Sequence, residues 1–142
     1  MINEADIVAE ARGWIGTPYM HQASVKGVGC DCLGLLRGCW RALKGQEPVA
    51  IPTYTADWSE PQGDEALWRA ASQYLERSSS QNLAPGQIIL FRMRSGAVAK
   101  HLGIVSCASP ATFIHAYNGH GVVESPLSEP WQRRIVARFT MT

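Results

Sequence analysis

The chain has 142 residues, 46% of them hydrophobic and 18% charged, with a formal net charge of +1 at pH 7. This length suits one hydrophobic core, so we expect residues 1–142 to form a single domain. Basic residues cluster only in pairs such as Arg92/Arg94, which argues against nucleic acid as a direct partner. The sequence opens without a signal-peptide pattern and lacks an apolar run of about 18 residues, so we expect cytoplasmic synthesis and no membrane span.

The first predicted element is a helix over about residues 4–13. Asn3 followed by Asp6 has the pattern of an N-terminal cap, and apolar residues then recur at near-helical spacing. We expect the helix to end at Gly13 or Gly16. The apolar positions that define its buried face are Ile7, Val8, Ala11, Trp14 and Ile15.

A loop is predicted from Thr17 to Gly29, because this stretch has no sustained hydrophobic period. A second helix follows over about Cys32 to Leu43, with Gly45 as its C-terminal stop. Gly34 and Gly38 weaken this helix locally, which suggests close packing against a sheet. Its predicted apolar stripe consists of Leu33, Leu36, Trp40 and Leu43.

The second half of the chain changes from helical to strand-like patterns. Three prolines, Pro48, Pro52 and Pro61, interrupt regular structure, and a third helix is predicted from Asp64 to Arg77. Helices followed by sequential strands are typical of an α+β fold, here N-terminal helices packed on an antiparallel sheet of about five to six strands. The predicted strands are Ile88–Met93, His101–Cys107, Thr112–Tyr117, Gly121–Ser125 and Ile135–Thr140.

Cys32 is the strongest candidate for a reactive residue, because it stands where a glycine-rich loop gives way to a helix. Unpaired N–H groups in the first turn of a helix stabilise negative charge, so we expect the thiolate to be favoured at neutral pH. His101 and His115 lie in strand-like segments that can return to the cysteine. We predict that Cys32 is a nucleophile with its own N–H as an oxyanion donor, that His101 is the general base, and that His115 orients it.

Two further residues are assigned to support of the thiol and the oxyanion. Tyr19, beside the rigid Pro18, can place a hydroxyl near the sulfur, and Asp31 directly precedes the nucleophile. His120 lies in a glycine-containing stretch typical of a hairpin turn, so we expect it to be solvated.

Cys30 and Cys32 with His21 also allow a metal-site interpretation. A Cys-x-Cys pair is tighter than the common Cys-x₂-Cys arrangement and a fourth ligand is not apparent, so we predict no metal and no cofactor. Free thiols are the expected state of all four cysteines. For Cys30 three interpretations stay open: a bystander, a partner in a regulatory disulfide, or the thiol that reacts.

Five segments of the chain resemble the NlpC/P60 family of cysteine peptidases. They occur in the family's order over about residues 4–140: Gly16–Tyr19, Asp31–Leu35, Pro85–Phe91, His101–Ile104 and Ile114–Ala116. The resemblance implies a papain-like α+β fold, a catalytic triad of Cys32, His101 and His115, and peptidoglycan stem peptide as substrate. The family's commonest activity cleaves beside a γ-D-glutamyl residue, before a diamino acid such as diaminopimelate.

A few positions depart from the family pattern. Leu33 replaces the serine that usually follows the nucleophile, Gln87 replaces an aspartate, and the run 20–22 stands where Trp-Gly-Gly is common. The segments Pro18–Ser24 and Cys30–Leu35 resemble the phage-encoded branch found in tail modules, including the tail peptidase of gene transfer agents. This implies a location at a virion tail tip or baseplate, partners among phage-like tail or baseplate proteins, and a role in opening the cell wall for DNA delivery.

Two alternatives to a wall peptidase stay open at this point. The same triad can serve an amidase or acyltransferase that acts on another γ-glutamyl or lipid-linked amide. A protein of a different class, a catalytically latent structural module of the tail tip, would retain the fold and bind its neighbours without turnover.

Overall fold

The structure is a computed structural model that describes residues 2–48, 65–79, 82–94 and 96–141. The elements within these ranges are α1 (Glu4–Arg12), β1 (Ser24–Val25), β2 (Gly29–Cys30), α2 (Cys32–Lys44), α3 (Ala66–Tyr74), β3 (Glu76–Arg77), β4 (Ile88–Arg92), β5 (Ala99–Ala108), β6 (Ala111–Tyr117), β7 (Gly121–Pro126), α4 (Glu129–Gln132) and β8 (Ile135–Thr140). A six-stranded antiparallel sheet has the order β3-β8-β4-β5-β6-β7, and β1 and β2 form a separate two-stranded sheet. The α+β class is therefore confirmed.

Helix α1 forms where the sequence predicts it. The Asn3 side chain accepts a hydrogen bond from the backbone N–H of Asp6 at 2.8 Å, which completes a capping box at the N-terminus. Trp14 is buried just beyond the helix, but the side chain of Ile15 is 45% exposed. The placement of Ile15 on the buried face was wrong, because the chain leaves helical geometry after Arg12 and loses the helical phase.

Helix α2 also begins and ends as predicted, but its buried face is rotated. Asp31 caps its N-terminus, and Gly45 ends it with a left-handed φ of 88°, a conformation that favours glycine. Leu36 is buried, as expected. The other members of the predicted stripe are only partly buried, because the helix turns Leu35 and Cys39 toward the core.

The two glycines inside α2 are explained by close contacts, although these contacts are not with the sheet. A Cβ atom added at Gly34 would lie 1.9 Å from the carbonyl oxygen of Ala23, and one added at Gly38 would lie 2.0 Å from the ring of Trp14. Because glycine has no side chain, the loop before α2 and the segment after α1 can pack directly against the backbone of α2.

The predicted loop before α2 contains a short hairpin that the sequence pattern did not indicate. Ser24 pairs with Cys30 and Val25 with Gly29, and Tyr19 makes a parallel bridge to Cys30. Each strand has only two residues, too few for a period-2 pattern to be visible. These pairings fix the residues directly before α2 against the earlier part of the same loop.

Helix α3 is shorter than predicted. It ends at Tyr74, and Glu76 and Arg77 pair instead with Thr140 and Phe139 of β8. Edge pairing with β8 therefore replaces the last predicted turn of helix. The predicted start at Asp64, like Pro52 and Pro61, lies outside the described residues.

The sheet is buried on both faces, and each face has its own hydrophobic cluster. Residues Ile88 to Phe91 of β4 are all fully buried, as is typical of a strand covered on two sides. One face packs against α1 and α2. The other carries a cluster of Ile89, Phe91, Val105, Phe113 and Leu127, which Trp131 of the unpredicted helix α4 covers.

The five predicted strands are all present. Strand β8 matches its predicted bounds, and β4, β6 and β7 differ from theirs by one residue at one end. Strand β5 begins at Ala99, two residues before His101, because its pairing with β4 continues through a bulge. His120 lies exposed in the turn between β6 and β7, as expected.

Candidate active site

The start of α2 fixes the position of Cys32. Asp31 is the N-cap residue, and Cys32 is the first residue of the helix. The Asp31 side chain is buried, with 2% exposure, and its two oxygens accept hydrogen bonds from the backbone N–H groups of Gly34 and Gln22, each at 2.7 Å. One carboxylate therefore holds both the first turn of α2 and the loop that faces it.

This geometry makes Asp31 a structural support for the site. An ionised carboxylate only accepts hydrogen bonds, so it cannot stabilise an oxyanion directly. Its acceptor atoms are also occupied by backbone donors, and Nδ1 of His21 lies 3.8 Å from Oδ2. The assignment of Asp31 as a supporting residue fits these contacts, whereas a direct role at the oxyanion does not.

The sulfur of Cys32 lies against the backbone of β5. Its S–H group donates to the carbonyl oxygen of Lys100, with Sγ and O 3.9 Å apart, and the side chain is 8% exposed. Among the described residues, no hydrogen bond joins this sulfur to the imidazole of His101. The nucleophile and the base predicted from the sequence are thus neighbours whose reactive atoms are not yet paired.

The expected thiolate at neutral pH is contradicted in this arrangement. Burial, followed by the negative charge of Asp31, raises the pKa of Cys32 to about 12. Hydrogen bonds from the backbone N–H groups of Leu102, Leu33 and Cys32 lower the pKa, but they do not offset the loss of solvation. The helix N-terminus is present as predicted, and desolvation outweighs it.

The two histidines are brought together by adjacent strands. Nε2 of His101 on β5 lies 2.8 Å from Nδ1 of His115 on β6, within hydrogen-bonding distance. Both rings lie on the face of the sheet opposite α2, since the register pairs Val105 with Phe113 and side chains alternate along each strand. The structure thus places His115 directly behind His101, where an orienting group is required.

A β-bulge determines where His101 points. Phe91 of β4 pairs with His101, but the next residue, Arg92, pairs with Ala99, which leaves Lys100 as an extra residue in β5. A bulge reverses the side-chain alternation on one strand and re-aims the neighbouring side chain. The same bulge brings the carbonyl of Lys100 to Cys32 and sets His101 at the edge of the cleft.

Both imidazoles are kept neutral by burial. His101 is 7% exposed and His115 is 1% exposed. Desolvation, with the neighbouring His115 as a second cause, lowers the pKa of His101 to about 3. Desolvation, followed by the charge of His120, lowers the pKa of His115 to about 4. At neutral pH the site therefore holds an uncharged thiol and two uncharged imidazoles.

Aromatic rings surround this histidine pair. Phe113 stacks on His115 with ring centroids 4.1 Å apart, and Trp131 of α4 contacts both histidines at 5.8 and 5.3 Å. Phe91 and Tyr117 complete the enclosure. Sequence reasoning missed these rings. The sequence did contain a signal for two of them: side chains alternate along β6, which places Phe113, His115 and Tyr117 on one face of the strand.

A cleft of about 210 Å³ opens beside the sulfur and the outer imidazole. Cys32, Tyr19, Asp31 and His101 all line it, whereas His115 lies behind His101. The remaining lining residues come from the loop before α2 and from β5 and β6: His21, Met93, Lys100, Ala116, Tyr117 and Asn118. The site is therefore accessible to a ligand on the Cys32 side.

Tyr19 is placed near the thiol, as predicted. Burial, followed by the nearby Cys32, raises the pKa of Tyr19 to about 12. The phenol therefore remains protonated at neutral pH and can donate a hydrogen bond into the cleft.

All four cysteines are free thiols, as expected. Cys30 and Cys39 are fully buried, and burial raises the pKa of each to about 12. Within the described ranges, no group of three or more His, Cys, Asp or Glu side chains is arranged to hold a metal ion. None of the helices in the same ranges has the length and apolar character needed to cross a bilayer.

A cysteine at the start of a helix, together with two hydrogen-bonded histidines on an adjoining antiparallel sheet, is the arrangement of an α+β cysteine hydrolase. Residues 16–140 match the model of the NlpC/P60 family, and the chain therefore belongs to this family. It is a family of peptidoglycan hydrolases, typically cysteine peptidases.

Two characterised relatives align with nearly the whole chain. The chain is 28% identical over 139 residues to the gamma-DL-glutamyl hydrolase of Bacillus subtilis, covering 96% of the chain and 29% of the relative. It is 30% identical over 129 residues to the murein DD-endopeptidase MepS/murein LD-carboxypeptidase of Escherichia coli, covering 90% and 57%. The chain thus spans less than two thirds of either relative.

Solved structures have the same fold. The NlpC/P60 domain of the peptidoglycan hydrolase SagA superposes with a TM-score of 0.64 at 25% identity, covering 99% of this chain and 100% of the domain. An NlpC/P60 family protein from Bacillus cereus gives a TM-score of 0.69 at 18% identity, covering 99% of this chain and 40% of that protein. The NlpC/P60 fold predicted from the motifs is confirmed.

Proposed function

We propose that this chain is a cysteine peptidase that cleaves peptidoglycan stem peptides, with Cys32 as nucleophile, His101 as general base and His115 as the residue that orients the base. The observation that carries the proposal is the position of His101. Its ring lines the same cleft as Cys32 and is hydrogen-bonded at 2.8 Å to a second buried imidazole. These two features support activation of the Cys32 thiol by an oriented base.

The reaction begins when the thiol turns from the Lys100 carbonyl toward His101. The thiol proton passes to Nδ1 of His101, and the sulfur adds to the scissile carbonyl carbon. Backbone N–H groups at the start of α2 stabilise the oxyanion, and the imidazolium returns the proton to the leaving amine. Water then hydrolyses the thioester with His101 as base, which releases the acid and restores the thiol.

The scissile bond in our proposal is the γ-D-glutamyl bond to a diamino acid. The names of the two relatives, a gamma-DL-glutamyl hydrolase and a murein DD-endopeptidase/LD-carboxypeptidase, support a peptide of this class. The cleft of about 210 Å³ has room for part of an extended peptide beside the sulfur.

The test is product analysis by mass spectrometry after incubation with diaminopimelate-type peptidoglycan and its purified stem peptides. The wild-type protein should release peptides cut after γ-D-glutamate, and Cys32→Ala should release none. Cys107→Ala is the matched control, because this cysteine is half-buried outside the cleft, and it should cleave like the wild type.

The other outcomes of this experiment point to different functions. An acyl adduct on an added amine, without the mass of water, would identify a transferase with the same triad. Wall fragments released equally by wild type and Cys32→Ala would overturn the assignment of the nucleophile. No product from any variant would favour a catalytically latent structural module.

We further propose that the enzyme is carried on a phage-like tail tip or baseplate and opens the wall for DNA delivery. Support for this comes from the resemblance of Pro18–Ser24 and Cys30–Leu35 to tail-module peptidases. An antibody against the chain should label the tail ends of particles purified from the source culture. Labelling of cell-wall fractions alone would contradict a virion location.

A further inference from the structure

A third polar side chain continues the hydrogen-bonded line behind the candidate base. Oγ of Ser125 on β7 lies 3.2 Å from Nε2 of His115, while Nδ1 of the same ring faces His101 at 2.8 Å. Strand register explains the placement: β7 pairs Ser125 with Phe113 and Val123 with His115. Ser125 is therefore one diagonal step from the His115 ring on the same face of the sheet.

Proton positions along this line are determined by the chemistry required of His101. To accept a proton at Nδ1, His101 must carry its own hydrogen on Nε2 and donate it to Nδ1 of His115. His115 then has a free lone pair on Nδ1, and its single hydrogen is on Nε2. In this tautomer Ser125 Oγ accepts that hydrogen, whereas in the opposite tautomer the same hydroxyl would donate to Nε2.

The opposite tautomer of His115 would disable the base. With hydrogen on Nδ1, His115 would donate to Nε2 of His101, and the hydrogen of neutral His101 would move to Nδ1. The nitrogen facing the cleft would then be a donor and unable to take the thiol proton. A choice between two tautomers of His115 thus decides whether the site is competent.

We propose that Ser125 is a positioning residue whose hydroxyl accepts the Nε2 hydrogen of His115 and so supports the tautomer that leaves Nδ1 of His101 free to accept the thiol proton. This inference rests on the proposed function of His101. Without the hydroxyl, the Nε2–H group of His115, a ring that is 1% exposed, would lose its hydrogen-bond acceptor, whereas the opposite tautomer would leave only a lone pair unpaired.

Two further contacts fix the positions of the His115 ring and of the strand that carries the Ser125 hydroxyl. Phe113 stacks on His115 with an interplanar angle of 26°, which fixes the plane of the imidazole. Glu124, the neighbour of Ser125, is held by a two-point ion pair with Arg12 of α1, at 3.2 and 3.0 Å. The strand that carries Ser125 is thereby fastened to the helical layer.

The test reads the tautomer directly, by ¹⁵N–¹H correlation NMR of histidine-labelled protein at neutral pH. In the wild type His115 should be protonated on Nε2 alone. Ser125→Ala should populate the Nδ1–H form, and Ser125→Thr, which keeps the hydroxyl, should restore the wild-type pattern. Ser128→Ala removes an exposed hydroxyl that makes no capping bond and should change nothing.

Stem-peptide cleavage provides the second readout. Ser125→Ala should lower kcat about tenfold with KM unchanged, and Ser125→Thr should stay within about twofold of the wild type. A folded Ser125→Ala protein with His115 still solely Nε2–H, or with full kcat, would overturn the inference. If the wild type cleaves nothing, the proposed function fails, and the NMR comparison still decides whether Ser125 sets the tautomer.

Discussion

The sulfur of Cys32 is hydrogen-bonded to the carbonyl oxygen of Lys100, 3.9 Å away, on the strand that carries His101. The two predicted partners line the same cleft, yet the thiol and the imidazole are both uncharged. The pKa of the thiol is raised to about 12 and that of the imidazole is lowered to about 3, in both cases chiefly by burial. In the free protein the Cys32 thiol is therefore protonated and unreactive. Pairing with His101 requires the sulfur to break its hydrogen bond with the Lys100 carbonyl of β5.

We expect slow alkylation of Cys32 in the free protein. With a pKa of about 12, the thiolate fraction at pH 7 is only about 10⁻⁵, and iodoacetamide should modify Cys32 more than about a hundredfold more slowly than a free cysteine. The rate should rise with pH without a plateau near neutrality. Peptide mass spectrometry measures it, with the half-buried Cys107 as an internal reference. A rapid reaction that levels off near pH 6 would show a thiolate–imidazolium pair already formed.

Acid should destabilise the fold through the two buried histidines. Their pKa values in the folded protein, about 3 and 4, lie below the ordinary value of 6.5, so the unfolded chain binds more protons at acidic pH. Their contribution to stability is fully present above pH 6.5 and is lost as the pH falls toward 4. Each imidazole contributes a slope of up to about 1.4 kcal/mol per pH unit in that window.

Urea denaturation at several pH values between 7.5 and 4.5 measures this slope. His115→Gln should remove about half of it, whereas His120→Gln, a change at an exposed turn, should leave it nearly unchanged. A wild-type free energy of unfolding that stays constant across this pH range would show that the histidines are not buried in neutral form.

Loss of the Asp31 carboxylate should affect both stability and the site. Asp31→Ala removes acceptors from the Gly34 and Gln22 N–H groups and should lower the free energy of unfolding by about 2 kcal/mol or more. Because it also releases the first turn of α2, cleavage should fall with it. Asn3→Ala is a matched control: it removes the exposed N-cap of α1, should cost about 1 kcal/mol, and should leave cleavage intact. Equal effects of the two substitutions on activity would contradict a special role for Asp31.

Trp131 should control the environment of the histidine pair. Its ring lies 5.8 Å from that of His101 and 5.3 Å from that of His115, so Trp131→Ala admits water to both. Because desolvation is the main cause of the low pKa values, the pKa of each histidine should rise from about 3 or 4 toward 6.5. NMR titration of the ring protons measures the change, and Trp131→Phe should preserve most of the burial. Unchanged titration in a folded Trp131→Ala protein would show that other groups exclude the water.

The local pattern of the sequence determined the elements and the identity of the candidate residues. Cys32 at the start of α2 follows from a glycine-rich loop before a helical period, and the five strands follow from short β-branched and aromatic runs. These features depend on interactions within a few residues, so they can be read along the chain. The rotated stripe of α2, the early end of α3 and the short hairpin before α2 were not readable, because partners distant in sequence decide them.

Tertiary structure alone decided how the candidate site is assembled. The alternation along β5 and β6 gives each histidine a face, but only the bulge at Lys100 and the pairing register set the 2.8 Å contact between the rings. Burial removed the expected negative charge of the Cys32 thiol, since desolvation depends on everything packed around an atom. The sequence by itself determined which groups are present and which turn or strand carries each. Packing between distant segments determined their distances and protonation, because a residue's neighbours in sequence do not specify its neighbours in space.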